Sequence, residues 1–267
     1  MAISVSSIRR SGDDPRRPPI LEVYGTHGIG KTSLALGAPS PVFIQVEDGF
    51  GELDFPTFGV LTSFQDTLDA IASLINDKHD FRTLFVDSID WLQPLIYDHV
   101  CAEQGWSNIE HPGYGKGYKM ALDTWRLLVG GIRHLRDNRG MGIVLLSHSE
   151  IHRVNPPDGV AFDRYQPKID KSASEILQEA ADGVLFMKQP VTMVKDNDKD
   201  KNSRTRAAGG NHRVIYTTEL PTHLGKNRWQ LTHPPMPESI RMPDKPEAMW
   251  NAIAQHIPYY NQNKKEA

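Results

Sequence analysis

The sequence predicts an α/β fold: a mostly parallel central sheet with helices on both faces. Three observations lead there. Short apolar runs, ILEVY (20–24), PVFIQVE (41–47), TLFVD (83–87) and GIVLLSHS (142–149), read as buried strands. Segments with helical periodicity separate them. A glycine-rich turn, GTHGIGKTS (25–33), follows the first run directly and asks for a strand before it and a helix after it.

The elements follow in order. Residues 1–18 hold four arginines and two prolines with little apolar periodicity, and read as an N-terminal arm. The core is expected over 19–235. A helix is predicted from Ser63, where Ser63-x-x-Asp66 resembles a capping box with aspartate in place of glutamate. Phe64, Leu68, Ile71 and Ile75 then share one face. A long helix is predicted over 117–138, with Ala121, Trp125, Leu128, Ile132 and Leu135 as its core stripe and Gly140 near its stop. GVLFM (183–187) and RVIYTT (213–218) supply later strands, and MVKDNDKDKNSRTRAAGGNHR (193–213) reads as a hairpin or loop insert. Residues 236–267 contain a last amphipathic helix, MPDKPEAMWNAIAQHI (242–257), and the polar tail NQNKKEA. No repeat occurs at any period. One domain with two ragged ends is the simplest account.

Composition sets limits on function. The chain has 267 residues, 39% hydrophobic and 24% charged, which is a globular balance. Its single cysteine, Cys101, rules out an internal disulfide and a cysteine-based zinc site, and suits a reducing cytoplasmic compartment. No window approaches the roughly 18 apolar residues of a membrane span, so no membrane partner is expected. The formal net charge of −3 places any nucleic-acid contact in local basic loops rather than a global field.

Gly25, Thr26, His27, Gly28, Ile29, Gly30, Lys31 and Thr32 satisfy G-x-x-x-x-G-K-[ST] in full. Glycines let backbone N–H groups converge on phosphate oxygens, and a following helix adds its positive end. Lys31 then reaches the β- and γ-phosphates, Thr32 holds Mg²⁺, and Ser33 is placed for a further phosphate contact. His27 sits at a variable position within the loop and receives no separate role.

Such a loop needs a metal-positioning acid at the end of another buried strand. Asp87, closing TLFVD, is the candidate, with an ordinary helix N-cap as the alternative. Hydrolysis also needs a group that orients or activates water. Glu47, closing VFIQV, projects from the same sheet edge; Asp48 could serve instead, and a solvated acidic loop stays open. A guanine-reading [NT]-K-x-D is absent, since VKDND (194–198) has valine before its lysine, so ATP is favoured. Ser147-His148-Ser149 lacks a G-x-S-x-G elbow, which turns it from hydrolase chemistry toward sensing of the γ-phosphate. A satisfied structural histidine is the other reading.

The order of these pieces resembles the RecA-like P-loop ATPase core: the loop, a strand ending in Glu47, VDS (86–88), then a strand ending in a polar pair at 147–148. More narrowly, DSIDWLQPLI (87–96), GYGKGY (113–118), RGMGIVLLSHS (139–149) and AADGVLF (180–186) are similar to phage-encoded, core-only RecA relatives. These are ATP-binding proteins of AAA type associated with single-strand annealing and recombination. The likeness covers about Ile20 to Trp229. It implies that Glu47 primes the attacking water, that Asp87 is the Mg²⁺-positioning acid, and that His148 stands where RecA has a coupling glutamine. Lys226-Asn227-Arg228 resembles the K-N-K segment whose lysines reach a neighbouring protomer's ATP, and Arg228 suits a finger supplied in trans. An exposed basic turn is the plainer alternative. The separate N- and C-terminal domains of full-length RecA have no room here.

The same resemblance places two loops against single-stranded DNA. One spans 103–119, with Trp106, His111, Tyr114, Lys116, Tyr118 and Lys119; the other spans 152–171, with Arg153, Arg164, Tyr165, Lys168 and Lys171. Interleaved aromatics and lysines suit base stacking plus phosphate contact. Either loop could equally be an active-site flap or a solvated loop. The implied function is an oligomeric, DNA-stimulated ATPase using ATP and Mg²⁺, with ATP between protomers. It would act in annealing or recombination in the cytoplasm of a bacterial or phage-infected cell, with room for a single-strand-binding protein as partner. A hexameric helicase-type motor and a nucleotide-gated switch or loader acting on a protein partner are the alternatives.

Overall fold

The structure is a computed structural model that describes residues 16–195, 205–210, 212–232 and 234–261, with the isolated positions 5 and 8. Most of the predicted arm, the centre of the 193–213 insert and the polar tail after 261 lie outside the described residues.

β1 (Ile20–Gly25) is buried at every position, Glu22 included, as the central strand of a parallel sheet covered on both faces is. β5 (Gly142–Val154) and β7 (Gly183–Lys188) flank it, both parallel. Beyond β5 come β4 (Thr83–Asp87), β2 (Pro41–Gln45) and β3 (Thr57–Val60), again parallel. Beyond β7 come β10 (Val214–Tyr216) and β12 (Ser239–Arg241), antiparallel. β11 (Lys226–Asn227) also pairs antiparallel with β7, and β6 (Phe162–Pro167) with the far half of β5. The order β12-β10-β7-β1-β5-β4-β2-β3 inserts β5 between the strand that leads to the glycine turn and the strand that ends in Asp87.

Side chains alternate across this sheet and define two cores. Ile20, Tyr24, Ile44, Val86, Leu145 and Phe186 face α1 (Phe64–Asn76), α2 (Ile89–Gln104), α3 (Lys116–Arg139) and α4 (Lys171–Ala180). Leu21, Val23, Phe43, Phe85, Leu146 and Met187 face the other way. There they meet the 3₁₀ helix Thr32–Gly37, α5 (Met249–Ala254) and the tyrosines of α6 (Pro258–Asn261). The predicted cover on both faces is present but uneven. Residues 236–257, predicted to follow the core, contribute Met236, Met242, Met249, Trp250, Ile253 and Ile257 to the second core.

Several elements match their sequence signals closely. Ser63 caps α1 by accepting from Asp66 N–H at 3.1 Å. The stripe Ala121, Trp125, Leu128, Ile132 and Leu135 on α3 is buried throughout, and Gly140 ends the helix in the left-handed region at φ 66°. Gly131, in the same helix, lets α1 approach: a Cβ there would lie 2.9 Å from Ile71. On α1 the buried set is Phe64, Thr67, Ala70, Ile71 and Leu74, so Leu68 and Ile75 flank the stripe rather than centre it.

Other expectations need correction. The glycine turn leads into a six-residue 3₁₀ helix, not an α-helix, because Gly37, Pro39 and Pro41 leave no room for further turns. β2 ends at Gln45, two residues before Glu47. β3, α2 and β12 were not predicted. The 152–171 segment is not a loop: β5 runs on to Val154 and turns back as β6. Lys116, Tyr118 and Lys119 belong to the first turn of α3. The 242–257 helix is shorter, a 3₁₀ turn Pro246–Ala248 followed by α5. The insert does form an antiparallel ribbon, β8 (Val191–Lys195) with β9 (Thr205–Gly209). Among the described residues no helix is long and apolar enough to cross a membrane.

Candidate nucleotide site

Parallel strands deliver their following residues to one edge of the sheet, and four of them converge here. β1 ends in the 25–33 turn, β2 is followed by Glu47, β4 ends in Asp87, and β5 carries Ser147 and His148 across that edge. Together they line a cleft of about 360 Å³ that includes His27, Gly28, Gly30, Lys31, Thr32, Ser33, Glu47, Asp48, Asp87 and His148. Gly25, Thr26 and Ile29 complete the turn; Gly25 lies beside His148 in the β1–β5 register.

The turn has the backbone a phosphate cradle needs. Gly28 and Gly30 adopt φ of 68° and 99°, left-handed values that side chains resist. Lys31 is buried and its Nζ donates to the carbonyls of Gly25 and Thr26, both at 3.1 Å. Burial holds the Lys31 ammonium below its ordinary range, opposed by Asp87, Asp90 and Glu47. Thr32 Oγ1 donates to Asp87 Oδ2 at 2.8 Å. A hydroxyl and a carboxylate oxygen side by side are the donors a hard divalent cation takes, so the residues present fit Mg²⁺.

The acids are tuned by burial and by each other. Asp87 is pushed above the usual carboxylate range by burial, against the Thr32 hydrogen bond, Lys31 and His148. Glu47, a side chain only 19% exposed, is also raised, first by burial and then by Asp87 and Asp90, with His148 opposing. His148 Nε2 lies 4.0 Å from Glu47 Oε1.

Asp90 was missed by motif reading. It accepts twice from His148, from its backbone N–H and at ring Nδ1, both at 2.9 Å. Burial raises the Asp90 pKa, but these His148 bonds outweigh it and hold the group low. The available signal was a second aspartate three residues past Asp87, in the first turn of α2. His27, given no role from sequence, stacks on His148 with ring centroids 3.6 Å apart.

The predicted DNA-facing residues are only partly brought together. Lys119 and Lys171 line one pocket with Tyr97 and Tyr118. Lys168 and Lys171 line a groove that runs from His27 and Asp90 past Trp91 and His152. Trp91, 54% exposed, was not singled out by sequence. Tyr114 is almost fully exposed, as is Lys116 to a lesser degree, whereas Trp106 packs on the first core and stacks on His111. Arg153 pairs with Asp163 at 3.1 Å on the hairpin, and Arg164 with Glu219 at 2.5 Å.

Lys226 and Arg228 do not approach the glycine turn of their own chain. Lys226 pairs with Val184 near the start of β7, and its Nζ donates to Gln178 O at 2.5 Å. Arg228 bonds Asp182 at 2.8 Å and Glu179 O at 3.3 Å. Asp182 in turn accepts from Ile20 N–H, so this segment marks the edge of the sheet opposite the cleft.

A phosphate-cradling loop on the central strand, an acid closing β4 and a strand inserted between them define a P-loop ATPase domain. Residues 17–229 match the family described as an AAA domain, and the chain belongs to that family. No curated protein matches the sequence. Among solved structures 206 chains match. One is titled as the crystal structure of the RadB recombinase, 16% identical with a TM-score of 0.47, covering 86% of this chain and 90% of that one.

Proposed function

We propose that the chain is an ATP-hydrolysing, RecA-like protein that binds single-stranded DNA and promotes strand annealing or recombination as an oligomer. The observation that carries this reading is the continuity of β5. One strand crosses the nucleotide cleft at His148 and continues as the hairpin with β6. His148 also accepts at its carbonyl from Lys168 N–H, at 2.9 Å, just past β6. A change at the γ-phosphate end of the cleft therefore has a rigid path to the groove holding Trp91, Lys168 and Lys171.

Within the cleft, Glu47 is the water-activating base. Its burial moves its affinity for protons toward working pH, where a general base is most effective. Thr32 and Asp87 would hold Mg²⁺, which when bound would supply charge neutralisation at the phosphates. Lys31 exchanges its two loop carbonyls for phosphate oxygens. His148, fixed by Asp90, reports on Glu47 from 4.0 Å. The position of Lys226 and Arg228 on the opposite edge supports their use in trans, against a neighbouring protomer's nucleotide.

The test is the ATPase rate with and without single-stranded DNA for the parent, Lys31→Ala and Arg228→Ala. Stimulation of the parent, loss of turnover in Lys31→Ala and strong impairment in Arg228→Ala are expected. Absence of any DNA effect removes the DNA reading. Normal turnover by Arg228→Ala removes the trans finger.

A further inference from the structure

Arg213 immediately precedes β10 and has been given no role above. Its backbone is anchored: the Arg213 carbonyl accepts from Met242 N–H at 2.8 Å. Its guanidinium crosses to the glycine turn, where Nη1 donates to Ile29 O at 3.4 Å. It also lies over Gly30. A Cβ on Gly30 would stand 2.5 Å from Arg213 Nη1 and 3.8 Å from Ser33 Oγ.

In a phosphate loop, glycine is required where ligand approaches the backbone too closely for a Cβ. The bare side of Gly30 faces Arg213 and Ser33, and both Gly30 and Ser33 line the cleft. Guanidinium is a fixed fork of donors, always charged, and matches phosphate oxygens in pairs. The Ile29 bond engages one of its N–H groups, and a carbonyl is a weaker acceptor than a phosphate. We infer that Arg213 binds the phosphate chain of the nucleotide in cis, on the Ser33 side of the loop. The inference rests on the reading of this cleft as a nucleotide site.

Glu47 lines the cleft and carries the hydrolytic role, whereas Arg213 stands just outside that lining and meets the loop on its Gly30–Ser33 side. Its contact is therefore common to ATP and ADP, and it positions the nucleotide rather than acting on the γ-phosphate. It also ties β10, the strand after the β8–β9 ribbon, to the nucleotide.

Calorimetric titration of the full chain with MgATP, MgADP and adenosine tests this, using the parent, Arg213→Ala and Arg213→Gln. Both variants are expected to lose about 10- to 100-fold in affinity for MgATP and for MgADP alike, the range of a charge-assisted hydrogen bond. Adenosine binding stays as in the parent. Glutamine keeps the aliphatic stem and a neutral donor, so it separates lost charge from lost packing should the alanine variant fold poorly. Affinity for MgATP equal to or tighter than the parent's in Arg213→Gln overturns the inference, as does an equal loss for adenosine. A parent that binds no MgATP removes the nucleotide reading itself, a distinguishable failure.

Discussion

Thr32 Oγ1 donates to Asp87 Oδ2 at 2.8 Å, joining the glycine turn after β1 to the end of β4 across the intervening strand β5. Two oxygen donors from separate parts of the chain thereby share one geometry. Donors held together in this way would lower the cost of binding a divalent ion under the proposed reading.

The first expectation concerns that pair. Asp87→Asn keeps the shape and can still meet Thr32, but removes the charge. ATP turnover at saturating Mg²⁺ is expected to fall on the order of 100-fold or more. Steady-state kinetics check it, and a rate within about threefold of the parent would remove Asp87 from the metal site.

Glu47→Gln separates binding from chemistry. Loss of a positioned general base costs typically about 10²- to 10⁴-fold in rate. The variant is expected to bind MgATP as the parent does while turnover drops by that factor. Full activity would instead favour a nucleotide-gated switch.

Asp90→Asn addresses coupling. Asp90 fixes His148 by two hydrogen bonds, and an amide oxygen without charge holds the ring less firmly. The ratio of ATPase rates with and without single-stranded DNA is expected to fall toward one. An unchanged ratio would show that His148 needs no such anchor.

Glu22 gives a stability test with a definite sign. It lies fully buried on β1, among the described residues neither carboxylate oxygen has a hydrogen-bond partner, and burial pushes its pKa from the ordinary 4.5 to about 8, with Lys226 opposing. Between those values the folded protein holds a proton that the unfolded chain releases. Stability from this group is therefore fullest below about pH 4.5 and declines as pH rises toward 8. The melting temperature of the parent is expected to fall from pH 5.5 to 8, while that of Glu22→Gln, unable to ionise, follows a flatter course. Parallel pH profiles would show that Glu22 does not titrate in this window.

Much of the fold was legible because its signals are local. Ser63 caps α1 through its own N3 amide, Gly140 ends α3 through its own φ, and the α3 stripe follows from 3.6-residue spacing alone. The elements that sequence missed lack such local signals. β3, with TFGV exposed at every position, forms only because β2 offers it an edge. β5 overruns its apolar stretch because β6 returns alongside it, through pairs such as His152 with Arg164. The glycine turn stops short of an α-helix where Gly37, Pro39 and Pro41 intervene, a local signal outweighed by the expectation attached to the motif.

By itself the sequence determined the phosphate loop, because its glycines, lysine and hydroxyls act within nine consecutive residues through backbone geometry. It also determined the alternating strands and helices, since burial of a parallel sheet on both faces favours near-continuous apolar runs. Tertiary structure alone decided the company each charged group keeps. Asp90 meets His148 across 58 residues and Arg213 meets Ile29 across 184, and no periodicity encodes such meetings. It likewise set Lys226 and Arg228 on the opposite edge from Lys31, because β11 runs back along β7 toward its start. Electrostatic and hydrogen-bond partners depend on distance in space, which strand order fixes and residue spacing does not.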